Sequence, residues 1–89
     1  MPKASLHITD EFIDGLTQIY SERLLARIKG ILNSLMEFPQ MGSPLVRRCL
    51  SEAYGEGIRQ IAVSTYLIIY RYDGYSVDVL ALVYGPTVI

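Results

Sequence analysis

With one cysteine and one histidine in 89 residues, the chain has little material for metal or redox chemistry. Cys49 has no second thiol, so neither a disulfide framework nor a two-thiolate zinc site can form within the chain, and a reducing compartment is expected. His7 cannot build a metal site alone, and with no acid or nucleophile assembled beside it in sequence it reads as a strand residue rather than a base. No cofactor is expected, because Gly-rich phosphate loops, Ser-His-Asp arrangements and metal-ligand spacings are all missing. Charge is also scarce. Charged residues make up 19% of the chain and the formal net charge is −1, with an isoelectric point near 5.7. That is not the basic field of a protein that holds nucleic acid mainly by neutralising phosphate, so any RNA or DNA contact must be local. No stretch is long enough to span a bilayer, and Met1-Pro2-Lys3-Ala4-Ser5 lacks the apolar run of a secretion signal. The expectation is a cytoplasmic protein with no membrane partner.

What is present is hydrophobic. A fraction of 51% apolar residues, seven of the residues being tyrosine, excludes a disordered chain, and the length allows a single core, hence one domain over residues 1–89. Mean hydropathy of +0.28 leaves apolar surface over for a partner, a homodimer or small oligomerisation module being one way to use it.

After a short strand over Ala4–Ile8, Thr9-Asp10-Glu11 supplies a capping oxygen and two first-turn acids, and Phe12, Ile13, Leu16, Ile19 and Tyr20 follow at helical spacing. Ser21-Glu22 opens a second helix whose apolar stripe runs through Leu24, Leu25, Ile28, Ile31, Leu32, Leu35 and Met36, with Arg23, Arg27 and Lys29 largely turned away. It must stop near Phe38, ahead of Pro39, and a loop with Gly42 and Pro44 follows. From Ile58 the pattern becomes β-branched and aromatic, giving strands over Ile58–Val63, Leu67–Tyr72 and Tyr75–Val83. Asp73-Gly74 predicts a type I′ hairpin with Tyr72 facing Tyr75 and Arg71 facing Ser76. Ser64-Thr65 is a weaker turn. The expected fold is α+β, ordered β-α-α-β-β-β, with a mostly antiparallel sheet covered by the N-terminal pair of helices.

Side-chain alternation in that hairpin puts Arg71 on one face with Asp78 and Tyr84. A three-residue turn over Ser64–Tyr66 would set Arg59 opposite Arg71, an unfavourable pairing that hints at an anion site, whereas a two-residue turn pairs Arg59 with Tyr70 and removes the hint. The structural alternative is an Arg59–Arg71–Asp78 ion-pair network. Arg47 and Arg48, after the Pro-bounded loop, could hold phosphates or simply be solvated.

The stretch Ile31-Leu32-Asn33-Ser34-Leu35-Met36-Glu37-Phe38-Pro39-Gln40-Met41-Gly42, then Gly57-Ile58-Arg59-Gln60-Ile61-Ala62-Val63 and Tyr66-Leu67-Ile68-Ile69-Tyr70-Arg71, resembles the RelE/ParE toxin superfamily of type II toxin–antitoxin and plasmid-stabilisation modules. The resemblance implies a growth-inhibiting toxin silenced by a cognate antitoxin protein. In RelE-like members it implies ribosome-dependent mRNA cleavage, an mRNA interferase activity; in ParE-like members, poisoning of DNA gyrase. Arg59 and Arg71 are the family-like positions and thus the catalytic candidates, with Tyr84 as a supporting group and Arg47 and Arg48 as nucleic-acid contacts. The sequence departs from the pattern at Leu67, where a strand-opening arginine is common, and at Val83-Tyr84-Gly85-Pro86-Thr87, where a basic motif is common. Arginines stabilise a phosphorane far better than they remove a 2′-hydroxyl proton, so a binder of gyrase and a decayed toxin kept for its antitoxin contacts stand beside the ribonuclease reading.

Overall fold

A computed structural model describes residues 5–87, with only the backbone of Thr87. Strand β1 (Ser5–Ile8) leads into helices α1 (Asp10–Leu16) and α2 (Glu22–Glu37), then a third helix α3 (Arg48–Tyr54), and strands β2 (Ile58–Val63), β3 (Tyr66–Tyr72) and β4 (Ser76–Tyr84). Ala4, expected to begin the first strand, lies outside the described residues.

The helix starts are where local chemistry puts them. The Thr9 hydroxyl accepts from the Phe12 amide at 3.2 Å and the Ser21 hydroxyl from the Leu24 amide at 3.2 Å, each satisfying one of the amides that a helix leaves unpaired at its start. The α2 stripe buries Ile28, Leu32 and Leu35.

The strands form one sheet in the order β1-β4-β3-β2. β2, β3 and β4 are antiparallel, but β1 runs parallel to β4, His7 lying opposite Asp78. The sheet is therefore mixed rather than simply antiparallel: the helices carry the chain from β1 to β2 at the opposite edge, and the two hairpins that return it to β4 leave β4 parallel to β1.

Two turns decide which face each side chain takes. Val63 pairs with Tyr66, so Ser64-Thr65 is a two-residue turn, with φ of 56° at Ser64. At the other hairpin the expected type I′ turn is replaced by a longer loop: Tyr72 pairs with Val77 and Arg71 with Asp78. The cause is the Asp73 carboxylate, which accepts from the Tyr75 and Ser76 amides, both at 2.8 Å. Those two bonds hold its pKa below the ordinary aspartate value. Among the described residues only Gly74 in this loop has positive φ, and a type I′ turn needs it at both central positions.

Between Ile69 and Tyr70 the β3–β4 register shifts: Ile69 faces Ala81, Tyr70 faces Val79, and Leu80 is left without an opposite residue. The Thr9 hydroxyl lies 2.8 Å from the Leu80 carbonyl and 3.0 Å from that of Val79, donating into the bulge. One threonine thus caps a helix and closes a bulge.

The bulge leaves Val77, Val79 and Leu82 on one side of the sheet with Ile68, Tyr70 and Val63. There they pack with Phe12, Ile28, Leu32 and Leu35 of α1 and α2. The other side is not bare, as a two-helix cover predicts. It carries a smaller cluster of Ile58, Ile69 and Ala81 beneath Leu50 of α3.

Candidate functional site

Because side chains at neighbouring strand positions point to opposite faces, the register fixes where the two family-like arginines go. Arg59 pairs with Tyr70 and Arg71 pairs with Ile58, which puts Arg59 on the α1/α2 face and Arg71 on the α3 face. The predicted joint anion site and the Arg59–Arg71–Asp78 network are both overturned by this separation. Among the described residues neither arginine has a carboxylate within ion-pair distance.

Arg59 instead fastens the loop after α2. Its guanidinium donates to the Gly42 carbonyl at 2.7 Å and to that of Gln40 at 3.2 Å. Ser43 exchanges two backbone bonds with Gln60, at 2.9 and 3.0 Å, and the Gly42 amide donates to the Tyr70 hydroxyl at 2.8 Å. Burial pushes the Tyr70 phenol up from its ordinary pKa, and the Gly42 amide and the Arg59 charge oppose that rise. A Cβ on Gly42 would stand 2.6 Å from the Tyr70 hydroxyl, so glycine is required for the loop to close this tightly.

Arg71 fastens α3. One of its terminal nitrogens donates to the Tyr54 carbonyl at 2.6 Å, a cation on the exposed carbonyls at a helix C-terminus. Gly55 follows with φ of 92°, and a Cβ there would meet that nitrogen at 2.9 Å. The Arg71 Nε is buried with no hydrogen-bond partner. The Tyr54 phenol is pushed up to about 12, first by burial and then by its hydrogen bond to, and the charge of, Glu11.

One row on the α3 face carries more chemistry than the sequence suggested. His7 lies opposite Asp78, and Asp78 opposite Arg71, so a histidine, a carboxylate and a guanidinium occupy three adjacent strands on one side of the sheet. The acid near His7 is distant in sequence, and only the parallel β1–β4 pairing brings it there.

Tyr84 is not beside Arg71. It faces Tyr66, their rings 5.5 Å apart in a T-shaped contact, on the α1/α2 face and at the far end of the strands. The bulge at Leu80 causes the change of face. Arg47 and Arg48 are not on a flexible arm: Arg47 sits at the N-cap of α3, Arg48 opens it, and Arg48 forms an exposed 3.3 Å pair with Glu52, worth little in water.

A family model described as ParE toxin of type II toxin-antitoxin system, parDE, matches residues 6–85. The chain belongs to this toxin family. No curated protein matches the sequence. In this ParE-family toxin the five candidates are thus dispersed: Arg59 and Arg71 on opposite faces, Tyr84 at one end of the sheet, Arg47 and Arg48 on α3. Among the described residues no group of three His, Cys, Asp or Glu side chains could hold a metal ion, and no helix is long and apolar enough to cross a membrane.

Proposed function

We propose that this ParE-family toxin inhibits growth by binding its target, in the manner of a DNA gyrase poison, and that a cognate antitoxin protein neutralises it. The match over residues 6–85 supports the toxin class. The observation that favours binding over cleavage is the division of labour between the arginines: Arg59 and Arg71 are on opposite faces, and each is engaged with a backbone carbonyl. Neither shares a reacting phosphate with the other. Arg47 and Arg48 are exposed side by side at the start of α3, and they are the proposed target contacts.

The purified protein is expected to inhibit plasmid supercoiling by gyrase, and Arg47→Ala with Arg48→Ala to weaken that inhibition at temperatures where the variant is folded. Normal supercoiling at saturating toxin would refute the reading. Growth arrest on expression, relieved by co-expressing the reading frame beside it, tests neutralisation.

A ribosome-dependent ribonuclease is the second reading, supported by the His7–Asp78–Arg71 row, which offers a base where arginines alone offer none. Message cut on translating ribosomes by wild type but not by His7→Ala would favour it over gyrase.

A further inference from the structure

β1 lies at an edge of the sheet, beside β4 alone. The Ser5 amide donates to the Tyr75 carbonyl at 3.2 Å and the Thr9 amide to that of Val79 at 3.1 Å. Residues along a strand alternate in which neighbour they give both backbone groups to, so Leu6 and Ile8 turn their N–H and C=O outward, away from β4. Among the described residues those outward groups have no partner. The side chains of Leu6 and Ile8 share the α1/α2 face with Val77 and Val79, and Ile8 is 41% exposed. Beside them lies a depression of about 400 Å³ lined by Leu6, Ile8, Leu16, Leu25 and Leu32, with no acidic residue among those described. Apart from its shortness, Ser5–Ile8 has none of the usual protections of an edge strand: no lysine, no proline and no bulge.

We propose that two copies of this chain pair through β1, antiparallel about a two-fold axis at His7, so that their two sheets become one. The occupant follows from the symmetry of the edge itself. The outward residues flank His7 on either side, so Leu6 of each copy falls opposite Ile8 of the other, and the two pairs exchange bonds that use every outward group. On the α1/α2 face these pairs bridge the two depressions, so apolar surface meets apolar surface and no carboxylate is buried. A linear peptide fits less well, because it would have to be ordered to make the same few bonds, whereas a second copy is already folded. On the α3 face His7 meets its own symmetry mate. Each His7 lies opposite Asp78 and each Asp78 opposite Arg71, so the polar row of one copy continues across the axis into that of the other. Two such short strands and their flanking leucines make a small contact, below about 1,200 Å², the range of weak and reversible association. The pairing depends on no particular target of the toxin.

Light scattering and sedimentation velocity on the full chain, between about 5 and 500 μM as a weak contact requires, should show a mass rising from 10.0 kDa toward twice that value. Ile8→Lys, at a position exposed in the single copy, should hold the mass at the lower value throughout by placing an unpaired charge in the contact. Crosslinking in a Cys49→Ser background reads the register. Opposed residues that exchange no bonds have Cα atoms about 4.5 Å apart, within reach of a disulfide, so His7→Cys should oxidise to a covalent dimer. Ile8→Cys should not, because an offset of two residues carries it beyond the ~7 Å limit from its symmetry mate. Circular dichroism checks that each variant is folded. A mass of one copy at every concentration, self-association unchanged in Ile8→Lys, or Ile8→Cys crosslinking as readily as His7→Cys would each overturn the proposal.

Discussion

The two faces of the sheet are built from the same strands but do different work. On the α1/α2 side, Phe12, Leu35, Ile68, Tyr70, Val77 and Val79 are fully buried in one continuous cluster. On the α3 side the apolar cluster is limited to Leu50, Ile58, Ile69 and Ala81 with partly buried neighbours, and the rest of that surface carries Gln60, Arg71, Asp78 and His7. Deep burial on one face lets the chain spend the other on polar groups, since apolar area removed from water is what opposes chain entropy. The fold and its interaction chemistry are thereby segregated by the pleat of the strands.

Core truncations give the sharpest way to break that comparison. Phe12→Ala should cost about 3–5 kcal/mol, the usual penalty for an aromatic removed from a packed core. Leu50→Ala should cost only about 2 kcal/mol, at the low end for leucine, because α3 is short and its cluster small. Urea denaturation measures both. Equal losses would mean that the α3 face is as much a foundation as the other.

The loop clasp comes next. Gly42→Ala should destabilise by about 1–3 kcal/mol through overpacking against Tyr70, and combining it with Tyr70→Phe, which removes the atom at 2.6 Å, should recover part of that loss. A double variant no more stable than the sum of the two single losses would show that the clash lies elsewhere.

Arg71 separates structural from functional use of the α3 face. Arg71→Met keeps the aliphatic stem but loses the bond to Tyr54, and should cost about 1.5 kcal/mol, as for a bond with one charged partner. Under the binding reading, gyrase inhibition should survive at temperatures where the variant is folded. Its loss in a folded Arg71→Met protein would put Arg71 in the functional machinery after all.

The sequence made the local features legible and the distant ones not. Thr9 and Ser21 as caps and the β-branched runs at Ile58–Val63 and Leu67–Tyr72 depend on residues within a few positions of one another. The parallel pairing of β1 with β4 joins residues about seventy positions apart, the span between Thr9 and its Val79 and Leu80 partners, and nothing local announces it. α3 offers only Leu50 and Tyr54 one turn apart, too few for a helical period. The bulge at Leu80 has no glycine or proline to mark it, yet it carries Tyr84 to the other face. For the site, everything hung on one residue of turn length: the two-residue turn at Ser64-Thr65, left open by the sequence, is what parts Arg59 from Arg71. His7 is inconspicuous in the sequence for the same reason, because its acid, Asp78, comes from another strand.

The smallest effect concerns pH and distinguishes the two faces again, because Tyr54 belongs to the α3 side. Its phenol is held near 12 in the folded protein, above the value of about 10 expected for an unfolded tyrosine. Folded protein therefore keeps a proton that unfolded protein releases, and the unfolded state binds fewer protons between these two values. Stability then falls as pH rises through that window, while below about pH 10 the contribution of Tyr54 is constant. Tyr54→Phe removes the titrating group and should flatten the alkaline limb of the thermal midpoint against pH between about 10 and 12. Glu11→Gln should flatten it only in part, since burial is the larger cause and the Glu11 charge a lesser one. An alkaline limb as steep in Tyr54→Phe as in the wild type would assign it to another tyrosine, the fully buried Tyr70 on the opposite face also having its phenol pushed up by burial, and would return the pH response to the core.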